Sequence, residues 1–190
     1  MSNESATRVV RYETIIATLV GVSALFVSGY TAYVQRQQVR AAVWPILEYN
    51  TSNEPQIKFV VENKGVGPAI VRHVLMKVDG QPVRTWTEAF VKLMGPGRYL
   101  FSLSTVSSHV FAAGESMDIL VPHGSDGGPL TLEKDAALRT ALDKERFRVE
   151  MEICYCSTLG ECWILRSGPA GTSTTETRTC PAKSGSTFQQ

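Results

Sequence analysis

Only three histidines occur in the 190 residues, and they stand apart at His73, His109 and His123. No H-E-x-x-H pair, no G-x-S-x-G elbow and no P-loop lysine occurs, so the usual signatures of zinc hydrolases, α/β-hydrolases and P-loop NTPases are missing. Charge of one sign is not in excess either, the net charge being +1. Arg72, Lys77, Arg84, Lys92 and Arg98 form no run and no aromatic platform accompanies them, which removes the grounds for a nucleic-acid partner. There is no acidic calcium loop, no heptad pattern and no repeat of about 20–50 residues. Nothing in the sequence calls for a cofactor or a metal, and no catalytic residue is assigned.

His123-Gly124-Ser125-Asp126-Gly127-Gly128 does set His, Ser and Asp side by side. A triad, however, needs groups held in fixed geometry beside an oxyanion hole, and a Gly-rich run supplies neither. The segment reads as a surface loop. His73, among Val and Leu residues, and His109 read as structural. Asn50-Thr51-Ser52 matches a glycosylation acceptor but reads as a turn.

What is present, first, is one long apolar run. Thr14–Val34, TIIATLVGVSALFVSGYTAYV, carries no charge and lies between Glu13 and Arg36. As a helix it rises about 31 Å, the thickness of a bilayer's hydrocarbon core. Tyr30 and Tyr33 stand near its C-terminal end, where amphipathic rings favour the headgroup level. A signal peptide has a shorter apolar core and ends at a small-x-small site; the best match, Val27-Ser28-Gly29, is poor. We therefore expect an N-terminal segment over 1–13, one transmembrane helix over 14–34 and a stalk over 35–44. Thr14, Ala17, Gly21, Ala24, Ser28 and Thr31 recur at steps of three and four, which puts six small residues on one face. Close backbone approach is what drives helix association in lipid, so this face predicts packing on another helix, in a protein partner or a homo-oligomer. Arg8 and Arg11 before the span balance Arg36 and Arg40 after it, so flanking charge does not orient it.

Beyond Trp44-Pro45 the texture changes. Short runs of β-type residues predict strands near 45–50, 56–62, 69–78, 81–86, 98–104, 106–111, 116–121, 146–156 and 162–167. Turn chemistry at 51–55, Asp79-Gly80 and Ala113-Gly114-Glu115 separates them. Thr85-Trp86-Thr87-Glu88 fits a capping box and Gly95-Pro96 a helix stop. A second helix is expected over 132–146, with Leu132, Leu138 and Leu142 inward. In the third strand Ile70, Val74, Met76 and Val78 share one face, entered through a corner where Gly65 and Gly67 permit positive φ and Pro68 fixes the approach. The pattern predicts a mainly β sandwich over 45–167 with two inserted helices. Residues 168–190, rich in Ser, Thr and Gly, read as a flexible tail.

Three of the four cysteines fall in ICYCSTLGECW. Phe147, Val149, Met151, Ile153 and Tyr155 alternate with Cys154 and Cys156, which puts the two cysteines on the face opposite the core-directed set. A hairpin through Gly160 sets Cys162 opposite Cys156, within reach of a disulfide, and leaves Cys154 for Cys180. The spacing C-x-C-x5-C lacks zinc knuckles, and no histidine is near in sequence to activate a thiol. Two disulfides are the favoured reading, ahead of free structural thiols, a metal site or a nucleophile. Disulfides persist outside the cytosol, which favours a cytoplasmic N-terminus and a periplasmic or extracellular β domain.

The corner Asn63-x-Gly65-x-Gly67-Pro68-Ala69, followed later by Ala113-Gly114-Glu115-Ser116, resembles the immunoglobulin-like (CARDB-like) adhesion-type domains of bacterial proteins. It is similar also to uncharacterised bacterial single-span membrane proteins carrying such a domain. The likeness covers about residues 45–121; it implies an immunoglobulin-like sandwich that binds or scaffolds, and transfers no catalytic residue. The expected function is a non-enzymatic, membrane-anchored binding or accessory subunit. The alternatives are a cytosol-facing tethered sensor and a regulatory subunit of a membrane enzyme or transporter.

Overall fold

No proline precedes Pro45, so nothing interrupts a helix through the apolar run. In the computed structural model, which describes residues 3–131, 133, 135–182 and 188, helix α1 covers Asn3–Ala42. Within Tyr12–Ala42 its most apolar 18-residue window has a mean hydropathy of 1.8 with no residue of that window buried, and the helix is long and apolar enough to cross a membrane. Pro45 disfavours helical geometry at Trp44, and a second compact unit starts at Val43.

That unit is mainly β. In chain order it contains β1 (Leu47–Ser52), β2 (Lys58–Asn63), β3 (Ala69–Val78), β4 (Gln81–Val83), α2 (Trp86–Met94), β5 (Leu100–Leu103), β6 (Val110–Phe111) and β7 (Ser116–His123). After these come α3 (Ala136–Glu145), a 3-10 turn (Arg146–Arg148), β8 (Val149–Cys156), β9 (Cys162–Gly168) and β10 (Gly171–Thr177). Two antiparallel sheets result: β1-β2-β7-β5, and β10-β9-β8-β3-β4 with β6 also on β3. Alternation in β2 sends Phe59, Val61 and Asn63 inward, and in β8 Val149, Met151, Ile153 and Tyr155. One core draws on both sheets, with Leu47, Phe59 and Ile119 from the first and Val74, Met76, Ile153 and Leu165 from the second.

Helix α2 closes part of that core because its start is fixed. The Thr85 side chain accepts from Glu88 N–H at 3.2 Å, while Glu88 Oε2 accepts from Arg84 N–H at 2.8 Å. This reciprocal cap ends β4 at Val83, three residues earlier than its pattern predicts. Trp86, Ala89, Phe90 and Leu93 are buried on one helix face, and the Trp86 ring lies 5.2 Å from Phe59.

Several expectations need correction. A bulge between Val71 and His73 shifts the register of β3 on β8. Ala69 and Val71 therefore point inward before it, and Val74, Met76 and Val78 after it. Ile70 lies on the other face, opposite Cys156. A bulge reverses alternation, which a simple period of two cannot anticipate. Phe147 lies in the 3-10 turn rather than in a strand and is 57% exposed. The expected flexible tail contains β10, paired along its length with β9, because Gly168 to Gly171 forms a hairpin turn. Its Phe188 is buried, donates its N–H to Val74 O at 3.0 Å and meets Trp86 edge-on at 5.7 Å. Phe188 thus occupies the stretch of β3 between its partners β6 and β4. Of the second helix, Leu142 is buried and Leu138 partly so, while Leu132 lies outside the described residues.

Candidate functional site

Three features could carry function: the face of α1, the corner and cysteines at one end of the β domain, and the cleft beside His123. On α1, Thr14, Ala17, Gly21, Ala24, Ser28 and Thr31 are exposed. A Cβ built on Gly21 meets nothing within 4 Å. Thr31 Oγ1 donates to Val27 O at 2.8 Å, as Thr18 Oγ1 does to Thr14 O. The Thr31 hydroxyl of the small face is thus satisfied within the helix, and what the face offers a partner is close van der Waals approach.

The corner is built around Asn63. Its side chain is fully buried. Oδ1 accepts from the N–H of Ile46 (3.1 Å) and Gly65 (3.0 Å), and Nδ2 donates to the carbonyls of Gly67 (2.8 Å), Ala112 (3.0 Å) and Phe111 (3.3 Å). One amide thereby joins the start of β1, the β2–β3 loop and the end of β6. The turn at Ala113–Glu115 closes on the same residue, since Gly114 N–H donates to Asn63 O and Asn63 N–H donates to Glu115 O, both at 2.9 Å. Gly65 and Gly67 are not in the left-handed region, contrary to expectation. Their role is steric: a Cβ on Gly65 lies 2.4 Å from Ile46 N, and one on Gly67 lies 2.1 Å from Val43 O. Pro68 leads directly into β3 and has no N–H to leave unpaired.

The adjoining turn holds an ionisable contact. Glu115 accepts from Ala112 N–H at 2.7 Å and meets His109 Nε2 at 2.9 Å. The backbone donor first, then the histidine, holds its carboxyl below the ordinary glutamate range. Nearby, Leu47 N–H donates to the Tyr155 hydroxyl at 3.3 Å. Burial raises the pKa of that phenol despite this donor.

On β8 the cysteines lie on the face away from the core residues. Cys156 and Cys162 are register partners with sulfurs 2.06 Å apart, and Cys154 and Cys180 have an S–S distance of 2.12 Å. The Sγ atoms of Cys156 and Cys180 approach to 3.8 Å across the two bonds. Cys154 and Cys156 are buried rather than on a polar surface, because the segment around Cys180 and the β8–β9 hairpin cover them. The sulfurs of Cys156, Cys162 and Cys180 lie within 4.8 Å of one another. As disulfides they present no thiolate, which is the form that binds a metal. His73 is opposite Cys154 on β3, buried, and its Nδ1 has no partner among the described residues.

The loop after β7 does not assemble a triad. His123 Nε2 meets Ser102 Oγ of β5 at 2.7 Å, a serine that its own strand gave no reason to single out. Ser125 instead pairs with Asp135, its hydroxyl 3.2 Å from Oδ1, and Asp126 accepts from Gly128 N–H. His123 Nδ1 lacks a partner among the described residues, so no carboxylate orients the ring as a general base requires. Beside it is a cleft of about 380 Å³ floored by Phe90, Leu130 and Leu142.

Comparison with protein-family models, with curated proteins and with solved structures finds no match to this chain.

Proposed function

We propose that the chain is a non-enzymatic, membrane-anchored binding or accessory subunit. In this reading α1 spans the plasma membrane once and presents an immunoglobulin-like sandwich of the CARDB-like kind on the periplasmic or extracellular side. The observation that carries the proposal is the pairing of an apolar helix, none of whose apolar stretch is buried, with a β domain closed by two disulfides. An unburied apolar surface of that length is stable only in lipid, and disulfides are kept where thiols are not reduced. The incomplete Ser102–His123 pair supports binding over catalysis. The small face of α1 supplies the contact with a membrane partner or a second copy. Replacing Gly21 and Ala24 by Leu tests this: the size of the full-length assembly in a mild detergent should fall to that of the single chain. An unchanged assembly would reject the helix as the contact.

A further inference from the structure

The β domain carries its exposed apolar side chains unevenly. Strand register places Leu47 opposite Asn63, Ile70 opposite both Val110 and Cys156, and Cys156 opposite Cys162. These positions form one line across the end of the domain at which the chain arrives from Ala42. At or beyond that line lie Trp44, Ile46, Val66, Val110 and Leu159, all exposed, Trp44 by 53% and Val66 by 65%. The backbone around them is fixed: Trp44 O accepts from the N–H groups of Val66 and Gly67 at 3.0 and 3.2 Å. The Trp44 ring stacks at 6.4 Å on Trp163, itself 5.9 Å from Tyr155. Exposed large apolar residues elsewhere in the domain are scattered over α2, β5 and the 3-10 turn, as Val91, Leu100, Leu103 and Phe147. Single exposed apolar residues need no explanation, whereas a group gathered at one end does.

Chain connectivity selects the occupant. Val43 is bonded to Ala42, the last residue of α1. Only residues 35–42 separate it from the apolar run, and as helix they rise about 12 Å. A headgroup layer is about 5–8 Å thick on each side of the hydrocarbon, so an upright helix leaves Val43 about 4–7 Å beyond it, a gap that helix tilt narrows. Tryptophan favours that layer, where its ring is solvated on one side and buried on the other. We propose that Trp44, Ile46, Val66, Val110 and Leu159 form a second membrane contact, seated in the interfacial layer of the bilayer that anchors the chain. The proposal rests on the reading of α1 as a membrane span.

The test uses the full chain in phosphatidylcholine vesicles, with and without lipid brominated near the top of the acyl chain. Flotation after an alkaline wash reports the span separately from the contact. The expected result is flotation together with loss of tryptophan emission in brominated vesicles. Trp44→Phe should reduce that loss, the remainder belonging to the half-buried Trp163 stacked on it, since Trp86 is buried. Val66→Asp with Leu159→Asp, which keeps every tryptophan, should weaken it as well; Val66→Ser with Leu159→Ser replaces that pair if the acidic variant does not fold. Flotation without quenching overturns the contact and leaves the span intact. Quenching unchanged by these variants, or tip residues shielded by a co-purifying protein, also overturns it. Failure to float overturns both readings.

Discussion

At one end of the β domain a single buried amide, Asn63, and two disulfides hold five chain segments together by neutral and covalent links, with the part-exposed pairs Lys64–Glu62 and His109–Glu115 beside them. At the other end the turn at Asp79 and the approach to β8 are joined by arginines. Arg148 spans the carboxylates of Asp79 and Glu145, Gly80 N–H donates to Glu150 at 3.0 Å, and Arg146, itself buried, holds Asp143 at 2.9 Å. The two ends answer to different variables. Neutral buried hydrogen bonds and covalent links are indifferent to salt, whereas exposed ion pairs are screened and contribute little. The neutral end is the one that receives the chain from α1, so its shape is kept independent of ionic conditions and sensitive to reductant instead.

Breaking the neutral end should cost most. Asn63→Ala strands two backbone donors and three carbonyls around a buried site. At about 1–3 kcal/mol for each group that finds no water, the loss is on the order of 3–5 kcal/mol, read as a lowered denaturation midpoint. A change under about 1 kcal/mol would mean that the corner is not the hub described. Removing disulfides comes next. The Cys154–Cys180 link spans 26 residues and the Cys156–Cys162 link 6. Loop entropy then assigns about 3.5 kcal/mol to the first and about 2 kcal/mol to the second. Cys154→Ser with Cys180→Ser should also open residues after β10 to proteolysis, while Cys156→Ser with Cys162→Ser should not; equal cleavage in both would contradict the assignment.

Smaller effects sharpen the contrast through pH. Glu115 is a titrating contact at the neutral end, and its carboxyl is held below the ordinary value of 4.5. Its stabilisation is complete above 4.5 and is lost as pH falls through the lowered value. Glu115→Gln should therefore lower stability at neutral pH and flatten its decline in acid; an unchanged acid slope would remove this contact from the account. Arg148→Ala should change least. Arg148 likewise holds the exposed Asp79 carboxyl below its ordinary 3.8, a contribution present above that value and lost below it. Screening makes it small, and it should vanish in high salt; a large effect that persists there would contradict the comparison.

Much of this architecture is legible in the sequence for definable reasons. The apolar run, the Thr85 cap, the Asp79-Gly80 turn and the alternation in β8 are local signals, readable within a few residues. The β10 hairpin was missed because Thr and Ser serve equally in strands and in solvated tails, and pairing with β9 decides between them. Phe188 was missed for a related reason: one aromatic in a polar segment has no period to announce where it docks. At the sites, the hairpin through Gly160 makes the Cys156–Cys162 approach legible. The burial of that face is not, since it depends on the distant segment around Cys180. The meeting of Ser102 and His123 depends on the register of β5 against β7, which no local pattern fixes. The roles of Gly65 and Gly67 were misread because a glycine required for close approach and one required for positive φ look identical in sequence.

On the proposed function, the disulfide-closed domain faces a compartment outside the cytosol. The most direct measurement is alkylation of the denatured full-length protein from freshly isolated membranes with a mass-tagged maleimide, before and after reduction. The account predicts no tagged cysteine before reduction and four after it. Four tagged cysteines without reductant would contradict it and turn the domain toward the cytosol.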